Sequence, residues 1–446
     1  MAVIDRRMKS TSSIVVEESR AVTSREAVAS LESVSTLYLC YFGLREPLVQ
    51  TQVLPYLRQL VAAGARVHLL TFEPQMRQRW TARELEEERA RLAGEGIRWH
   101  ARAYHKRPSL PATLYDVQTG ARLAARLLRR GEVNTLHARG HVAALMASLA
   151  KRARRGGRMV FDIRGFMPEE YTDAGVWPEG GALYRGVKRV ERFLFASSDA
   201  FIVLTEKARE ILFPGRRDRD ARGRPVEVIT CCVDFRRFAA ADATPKEALR
   251  EEFGLAGRRV IVYAGSFGGW YMTDEMARFM AVAHRDDPQT FSMILTQSDA
   301  GVVSEKLRAL GVAEGDFFVG RVAPGEVPRR MKAADIAVSF IRACYSKQSS
   351  SPTKIAEYLA AGLPVVCNAG VGDVDACVEG DRVGVILREF TDDAYLAALR
   401  AADEMRRDPA TAERCRASAS ARFDLDSVGG AGYRRLYERL LKGRES

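Results

Sequence analysis

A chain of 446 residues exceeds what one hydrophobic core ordinarily serves and points to two domains or three. With 47% apolar and 28% charged residues it is globular rather than disordered, and no apolar run nears the roughly 18 residues that cross a bilayer. Its net charge of +12 asks for an anionic partner or for a solvated, arginine-rich surface.

Residues 1–33 are polar and poor in aromatics, which reads as a flexible leader. They carry no hydrophobic signal core, so secretion by that route is not expected. From 36 to 42, Thr-Leu-Tyr-Leu-Cys-Tyr-Phe has the continuous apolar character of a buried strand. A loop over 43–50, a helical pattern over 52–63 stopped by Gly64, and a strand over 66–72 complete a strand–helix–strand unit. The alternation continues with a helix near 116–130, a strand at 133–137, a helix from His141, a strand at 159–163, a helix at 182–196 and strands at 200–204 and 226–230. It restarts with a strand at 259–264, a glycine-rich loop and a helix from Thr273, then strands at 291–296, 317–319, 336–340 and 364–367. The chain reads as two doubly wound α/β halves, 34–235 and 236–425, with the boundary near 231–258. A last helix within 426–446 is expected to return to the first half. Open parallel sheets bind ligands beyond the carboxyl ends of their strands. The loops 43–50, 138–141, 164–171, 205–207, 265–272, 297–299, 320–326 and 341–351 should therefore line a cleft between the halves.

Basic stretches at 122–130, 151–158 and 216–224 suit either solvated helix faces or an anionic membrane surface. No nucleic-acid module and no interleaving of aromatic with basic residues is present, so nucleic acid is not an expected partner. Seven cysteines lack metal spacing and sit mostly among apolar residues, as reduced thiols of a cytoplasmic protein would.

The most informative segment is 349–368, Ser-Ser-Ser-Pro-Thr-Lys-Ile-Ala-Glu-Tyr-Leu-Ala-Ala-Gly-Leu-Pro-Val-Val-Cys-Asn. Serines offer an N-cap, Pro352 suits the first helical position, and Gly362 with Pro364 ends the helix. Free N–H groups behind a loop containing Ser350, Ser351 and Thr353 make an anion site. Lys354 places a cation in the first turn, where the helix dipole does not favour one; a bound phosphate would account for it. Glu357, on nearly the same face, suits the two hydroxyls of a ribose. The loop Gly265-Ser266-Phe267-Gly268-Gly269 lets backbone approach a phosphate, though it is neither a dinucleotide fingerprint nor a Walker loop. Arg342 and Lys347 follow a buried strand just before the helix and, with Lys354, supply charge for a diphosphate without metal.

In the first half, Asp162-Ile-Arg164 and Glu169-Glu170 leave a strand together, as acid–base or hydrogen-bonding groups or as an Asp162–Arg164 brace. His137-Ala-Arg139-Gly-His141 lacks a third ligand for zinc, and the Asp373/Asp375 and Asp218/Asp220 pairs are weak grounds for a metal. No metal is therefore expected.

Segment 349–368 resembles the nucleotide-binding signature of glycosyltransferase family 4, whose members have the GT-B fold of two Rossmann-like domains facing across a cleft. Residues 263–271 resemble the loop opening that family's donor domain, and 228–235 its hinge. The resemblance implies transfer of a hexosyl or N-acetylhexosaminyl unit from a nucleotide-diphosphate sugar to a hydroxyl of a glycan, lipid-linked saccharide or small molecule. It implies retained configuration and neither metal nor cofactor. Glu357 then holds the ribose, and Lys347 or Lys354 the diphosphate. Ser349 stands where the family carries the first glutamate of its Glu-x7-Glu pair. The arginine and lysine of the family's glycine loop are absent, with Arg321 or Lys347 as substitutes, and Arg164 occupies the neighbourhood of a family histidine.

The resulting assignment gives catalysis to Arg164, Asp162 and Lys347. Donor binding falls to Gly265, Ser266, Gly268, Arg321, Ser350, Ser351, Thr353, Lys354 and Glu357, and acceptor binding to Arg45, Arg139 and Glu169. The expected setting is cytoplasmic, peripheral to a membrane, in cell-envelope polysaccharide synthesis. A nucleotide-sugar 2-epimerase shares the architecture, and a non-catalytic nucleotide-sugar-binding or membrane-scaffold protein is the rival of another class.

Overall fold

The structure, a computed structural model, describes residues 30–153 and 157–442; residues 1–29 of the leader expected over 1–33, and part of the basic stretch 151–158, lie outside the described residues. Seven strands form the first sheet: β1 (Ser35–Cys40), β2 (Arg66–Pro74), β3 (Ile97–Tyr104), β4 (Thr135–Arg139), β5 (Arg158–Asp162), β6 (Ala200–Val203) and β7 (Val226–Val228). Their order is β3-β2-β1-β4-β5-β6-β7, all parallel. The second sheet comprises β8 (Arg259–Ala264), β9 (Thr290–Leu295), β10 (Phe317–Gly320), β11 (Ile336–Ser339), β12 (Val365–Asn368) and β13 (Gly384–Leu387), ordered β10-β9-β8-β11-β12-β13. Each order reverses once, between β1 and β4 and between β8 and β11, where a doubly wound sheet opens its crevice.

Helices cover both faces of each sheet, which is why the central strands are buried and largely apolar; every residue of β1 is buried. Helices Ser109–Arg129, Gly140–Arg152 and Ala182–Ser197 share one core layer with the first sheet, through Val117, Ala143 and Leu194. Leu54–Ala62, Ala82–Gly94 and Ala431–Lys442 build the opposite layer through Leu57, Leu92 and Tyr433. The last of these comes back from the second half: its Tyr437 hydroxyl lies 3.0 Å from Thr36 Oγ1 and 3.0 Å from His137 Nδ1. Leu31, within the stretch expected to be a loose leader, is fully buried in the same layer.

The chain crosses between halves twice side by side. Val233 N–H donates to Phe423 O at 2.7 Å and Leu425 N–H to Val233 O at 3.1 Å. Two elements depart from the sequence reading in ways that bear on the site. β4 runs on to Arg139, so that arginine ends a strand instead of starting a loop. Pro352 is itself the N-cap of helix Thr353–Ala360, and no side chain caps it; the serines point elsewhere.

Candidate functional site

The carboxyl ends of both sheets face one cleft of about 580 Å³. The first half contributes Arg139, Gly140, Arg164 and Glu170 to its wall, and the second Trp270, Tyr271, Lys347 and the stretch 350–353. The uncapped N-terminus of helix Thr353–Ala360 therefore opens on the cleft with its N–H groups unused by any side chain.

Lys354 lies just behind that wall and is 7% exposed. Its ammonium donates to Tyr263 Oη at 3.0 Å and stands 3.8 Å from the ring centre of Tyr271 and 4.4 Å from that of Tyr263. Burial pushes its pKa down to about 7, with Glu357 opposing the shift. Gly265 covers it: at φ +151 a Cβ would come 2.7 Å from Lys354 Nζ. The glycine loop is thus shaped around the lysine as well as around any ligand. Tyr358, on the same helix, fixes the strand end below by accepting from Ala264 N–H at 2.7 Å. Glu357 accepts from Arg237 Nη1 at 2.9 Å and is off the cleft wall.

Tyr271 bridges to Ile341, and Arg342 N–H donates to Trp270 O at 2.8 Å, so the loops after β8 and β11 form one ledge. Arg342 and Lys347 both lie on the Trp270 ring, at 4.8 and 4.1 Å from its centre. Lys347 also donates to Glu170 Oε1 of the first half at 2.8 Å. Further contacts close the halves around this pair. Ser346 N–H donates to Asp173 Oδ2 at 2.8 Å, Thr205 Oγ1 to Gln348 O at 2.8 Å, and Cys231 N–H to Ser351 Oγ at 3.1 Å. Ser349, 2% exposed, accepts from Phe166 N–H at 3.1 Å and donates to Ser346 O at 2.7 Å. The loop of the first half fills the space a longer side chain at 349 would need.

Beneath the first half's wall Asp162 is wholly buried. Arg164 Nη1 is 3.4 Å from its Oδ1, Arg139 Nη1 3.6 Å and His137 Nε2 3.7 Å from its Oδ2, and Tyr38 donates to Oδ2 at 3.3 Å. Burial alone would raise its pKa, but Arg164, His137 and Arg139 outweigh burial and hold the carboxyl far below the usual range. Burial lowers the pKa of His137. Asp162 is a permanent anion that orients two arginines.

Several candidate residues need correcting. Asp162 does not reach the cleft, because its partners enclose it. Arg45 turns outward to Glu84 at 2.8 Å and stacks 3.7 Å above Trp80, away from the cleft wall. Glu169 faces helix Ala182–Ser197, accepting from Tyr184 Oη and Lys188 Nζ at 3.0 Å each, and its neighbour Glu170 takes the cleft position. Arg321 follows the end of β10 and donates to Gln297 O at 3.0 Å, outside the wall. Ser266 and Gly268 hold the ledge through backbone, Ser266 O accepting from Tyr263 Oη at 2.5 Å and Gly268 N–H donating to Thr273 Oγ1 at 3.1 Å. The Asp373/Asp375 pair serves structure. Asp373 accepts from Glu206 N–H at 2.6 Å and Lys207 N–H at 3.2 Å, capping a helix of the opposite half, while Asp375 accepts from Gly370 N–H. Asp220 accepts from Arg224 within a turn. Among the described residues no group of three His, Cys, Asp or Glu is placed to hold a metal ion. No helix among them is long and apolar enough to cross a membrane.

The cleft meets known proteins at this point. A glycosyl transferase 4-like domain model matches residues 49–219, and a glycosyl transferases group 1 model matches 258–402. No curated protein matches the chain in sequence. Among solved structures, Anabaena HepE with UDP and glucose is 17% identical, with a TM-score of 0.63 over 91% of this chain and 100% of that one. Sucrose-phosphate synthase from Thermosynechococcus elongatus is 15% identical, at 0.68 over 92% and 100%. A glycosyltransferase from Rickettsia africae is 12% identical, at 0.65 over 92% and 99%.

Proposed function

Since the chain belongs to the family 4 type of glycosyltransferases with the GT-B fold, we propose that it moves a hexosyl or N-acetylhexosaminyl unit from a uridine-diphosphate sugar to the hydroxyl of a lipid-linked glycan acceptor. The observation that carries the donor assignment is Lys354, a buried amine beneath Gly265 and beside an uncapped helix terminus. A buried cation without a carboxylate in contact is costly unless an anion completes it. A diphosphate supplies that charge. HepE, whose fold this chain shares, has been seen with UDP-glucose, which supports uridine as the base.

The chemistry follows from where charge develops. The bond from the anomeric carbon to the diphosphate breaks, and its electron pair leaves with the diphosphate oxygen. The acceptor oxygen bonds to the same face of that carbon, and its proton passes to the departing phosphate oxygen, so configuration is retained. Lys347, Arg342 and the N–H groups of Thr353 and Lys354 would stabilise the leaving group more as its charge grows, which is how binding becomes rate. These groups do the work a metal would otherwise do. Arg164 and Arg139, fixed by Asp162, present the acceptor side of the cleft.

Thermal shift with UDP, UDP-glucose, UDP-N-acetylglucosamine and GDP-mannose tests the donor, since a ligand at 100 times its Kd stabilises by about 2.7 kcal/mol. Incubating the responding sugar nucleotide alone separates transfer from epimerisation. Conversion of the donor without acceptor, or no shift with any UDP compound, would overturn the reading.

A further inference from the structure

Each half sends an uncapped helix N-terminus to the cleft. That of Thr353–Ala360 faces the proposed diphosphate. The other belongs to Gly140–Arg152, which follows β4 directly and has no side-chain cap. Its first three residues, Gly140, His141 and Val142, all line the cleft. Gly140 stands at φ +77, and nothing lies within 4 Å of the place a Cβ would take. The mouth of this helix is thus open to the oxygen atoms of a ligand.

A helix terminus alone would carry little, but the side chains beside it are cationic and short of partners. Arg139, the N-cap residue, is 5% exposed and lines the same wall. Its Nη1 forms no hydrogen bond, and Asp162 Oδ2, at 3.6 Å, is beyond bonding reach. Arg164, also in the wall, leaves Nε without a partner and directs Nη2 to Cys231 Sγ at 3.4 Å, a weak acceptor. Buried donors in this condition ordinarily answer to an ion or a ligand.

The charges do not balance either. Among the described residues Asp162 is the one carboxylate that pairs with the two guanidinium groups. His137 beside it adds no negative charge, and Glu170, the acid of this wall, is taken by Lys347. One positive charge is left over in a nearly buried cluster. Arg259, the comparably buried arginine of the second half, shows the contrast: Asp403 at 2.9 Å and Asp286 at 3.2 Å more than neutralise it. A buried excess of cation is costly unless an anion completes it.

We propose that the acceptor carries an anionic oxygen group, a phosphate or a carboxylate, and that the mouth of helix Gly140–Arg152 seats it together with Arg139 and Arg164. The planar guanidinium groups suit the paired oxygens of either group, and the helix terminus adds N–H donors and a favourable dipole. This deepens the proposed function and rests on it for there being an acceptor. Donor and acceptor would then each be fixed by an anion, on opposite walls, with the acceptor hydroxyl directed between them.

Thermal shift of the UDP-saturated full chain by inorganic phosphate, by glucuronate and by glucose tests the seat, with chloride at matched ionic strength as the reference. Phosphate or glucuronate should raise the melting temperature beyond chloride, and glucose should not. A response to phosphate alone assigns a phosphorylated acceptor, and to glucuronate alone an acidic sugar. Arg139→Gln should weaken the response at least about tenfold with the shift by UDP kept. If that variant fails to fold, Gly140→Asp and Gly140→Asn decide, since they share shape and backbone cost and differ in charge. The aspartate tethers an anion at the helix mouth, so it should melt higher than the asparagine variant and lose the phosphate response at least about tenfold by comparison. No response to either anion beyond chloride, equal responses from the two Gly140 variants, or UDP-glucuronate binding more tightly than UDP-glucose through Arg139, which would put the anion on the donor, would each overturn the proposal. A protein that does not respond to UDP would instead remove the glycosyltransfer reading, and the acceptor with it.

Discussion

Lys347 Nζ and Glu170 Oε1 lie 2.8 Å apart across the cleft, one from each half. The same ammonium rests on Trp270, on the ledge where a diphosphate would sit. Glu170 would therefore compete with the proposed donor for this cation. Removing its charge by Glu170→Gln should tighten UDP binding about threefold, a modest figure because the carboxylate is partly solvated. Lys347→Met should weaken it at least about tenfold. Calorimetric titration reads both; if Glu170→Gln loosened UDP, the competition would be refuted.

Lys354 makes nucleotide binding depend on pH. With a pKa of about 7 the empty site is largely neutral at pH 8, and a diphosphate would draw a proton back onto the amine. Binding should then take up close to one proton at pH 8 and weaken as pH rises further. Titrations in buffers of different ionisation enthalpy measure the uptake, and none would sink the assignment of Lys354 to the diphosphate.

The same lysine fixes the sign of a stability effect. Its folded pKa lies below the unfolded value of 10.5, so between about pH 7 and 10 the unfolded chain binds more protons. Stability from this group rises with pH across that window, and the cost of burying the charged form is fully present below it. Lys354→Met should stabilise the empty protein at pH 6 by up to a few kcal/mol, roughly, and by little at pH 10. Denaturant melts of both proteins at the two pH values give the difference directly.

Gly265→Ala should act through Lys354. A Cβ 2.7 Å from Nζ, on a backbone at φ +151, must displace the ammonium. Loss of about 1–3 kcal/mol of stability is expected from the strained backbone. UDP affinity should fall with it, and a variant binding UDP normally would show that the loop and the lysine act separately.

Glu357 is held by Arg237, so a ribose role for it would call for an exchange of partners. Glu357→Ala should weaken UDP binding about tenfold, as expected for lost charged hydrogen bonds, and should abolish the preference for UDP over 2′-deoxy-UDP. A preference that survives the substitution would place the ribose elsewhere.

Much of the fold was legible because the central strands are buried on both faces and carry short apolar runs, as 37–40 of β1 and 260–264 of β8 do. β3 escaped notice because Arg98, His100 and Arg102 break its pattern, as suits a strand at the sheet's edge. β13 has only four residues, and helices Asp392–Arg407 and Ala410–Phe423 are too polar to announce themselves. Within the site, Lys354 was visible as a cation on the wrong end of a helix. The choice of Glu170 over Glu169 was not, since the two are adjacent in the first turn of a short helix and only Tyr184 and Lys188 decide which turns inward. Arg45 and Asp162 were misjudged for a related reason. Glu84, Trp80 and Arg139, the partners that withdraw them, are remote in sequence or read as a separate motif.

Asp373 of the second half ends a helix of the first, Glu206–Leu212. The two halves cannot part at this contact without leaving two backbone amides bare. If a spent nucleotide left by such a parting, its departure would loosen the first turn of a helix on the far side of the hinge. The breathing of the whole molecule should be readable in one place, as hydrogen exchange at the amides of Glu206 and Lys207, slow with the cleft shut and quickening each time it parts.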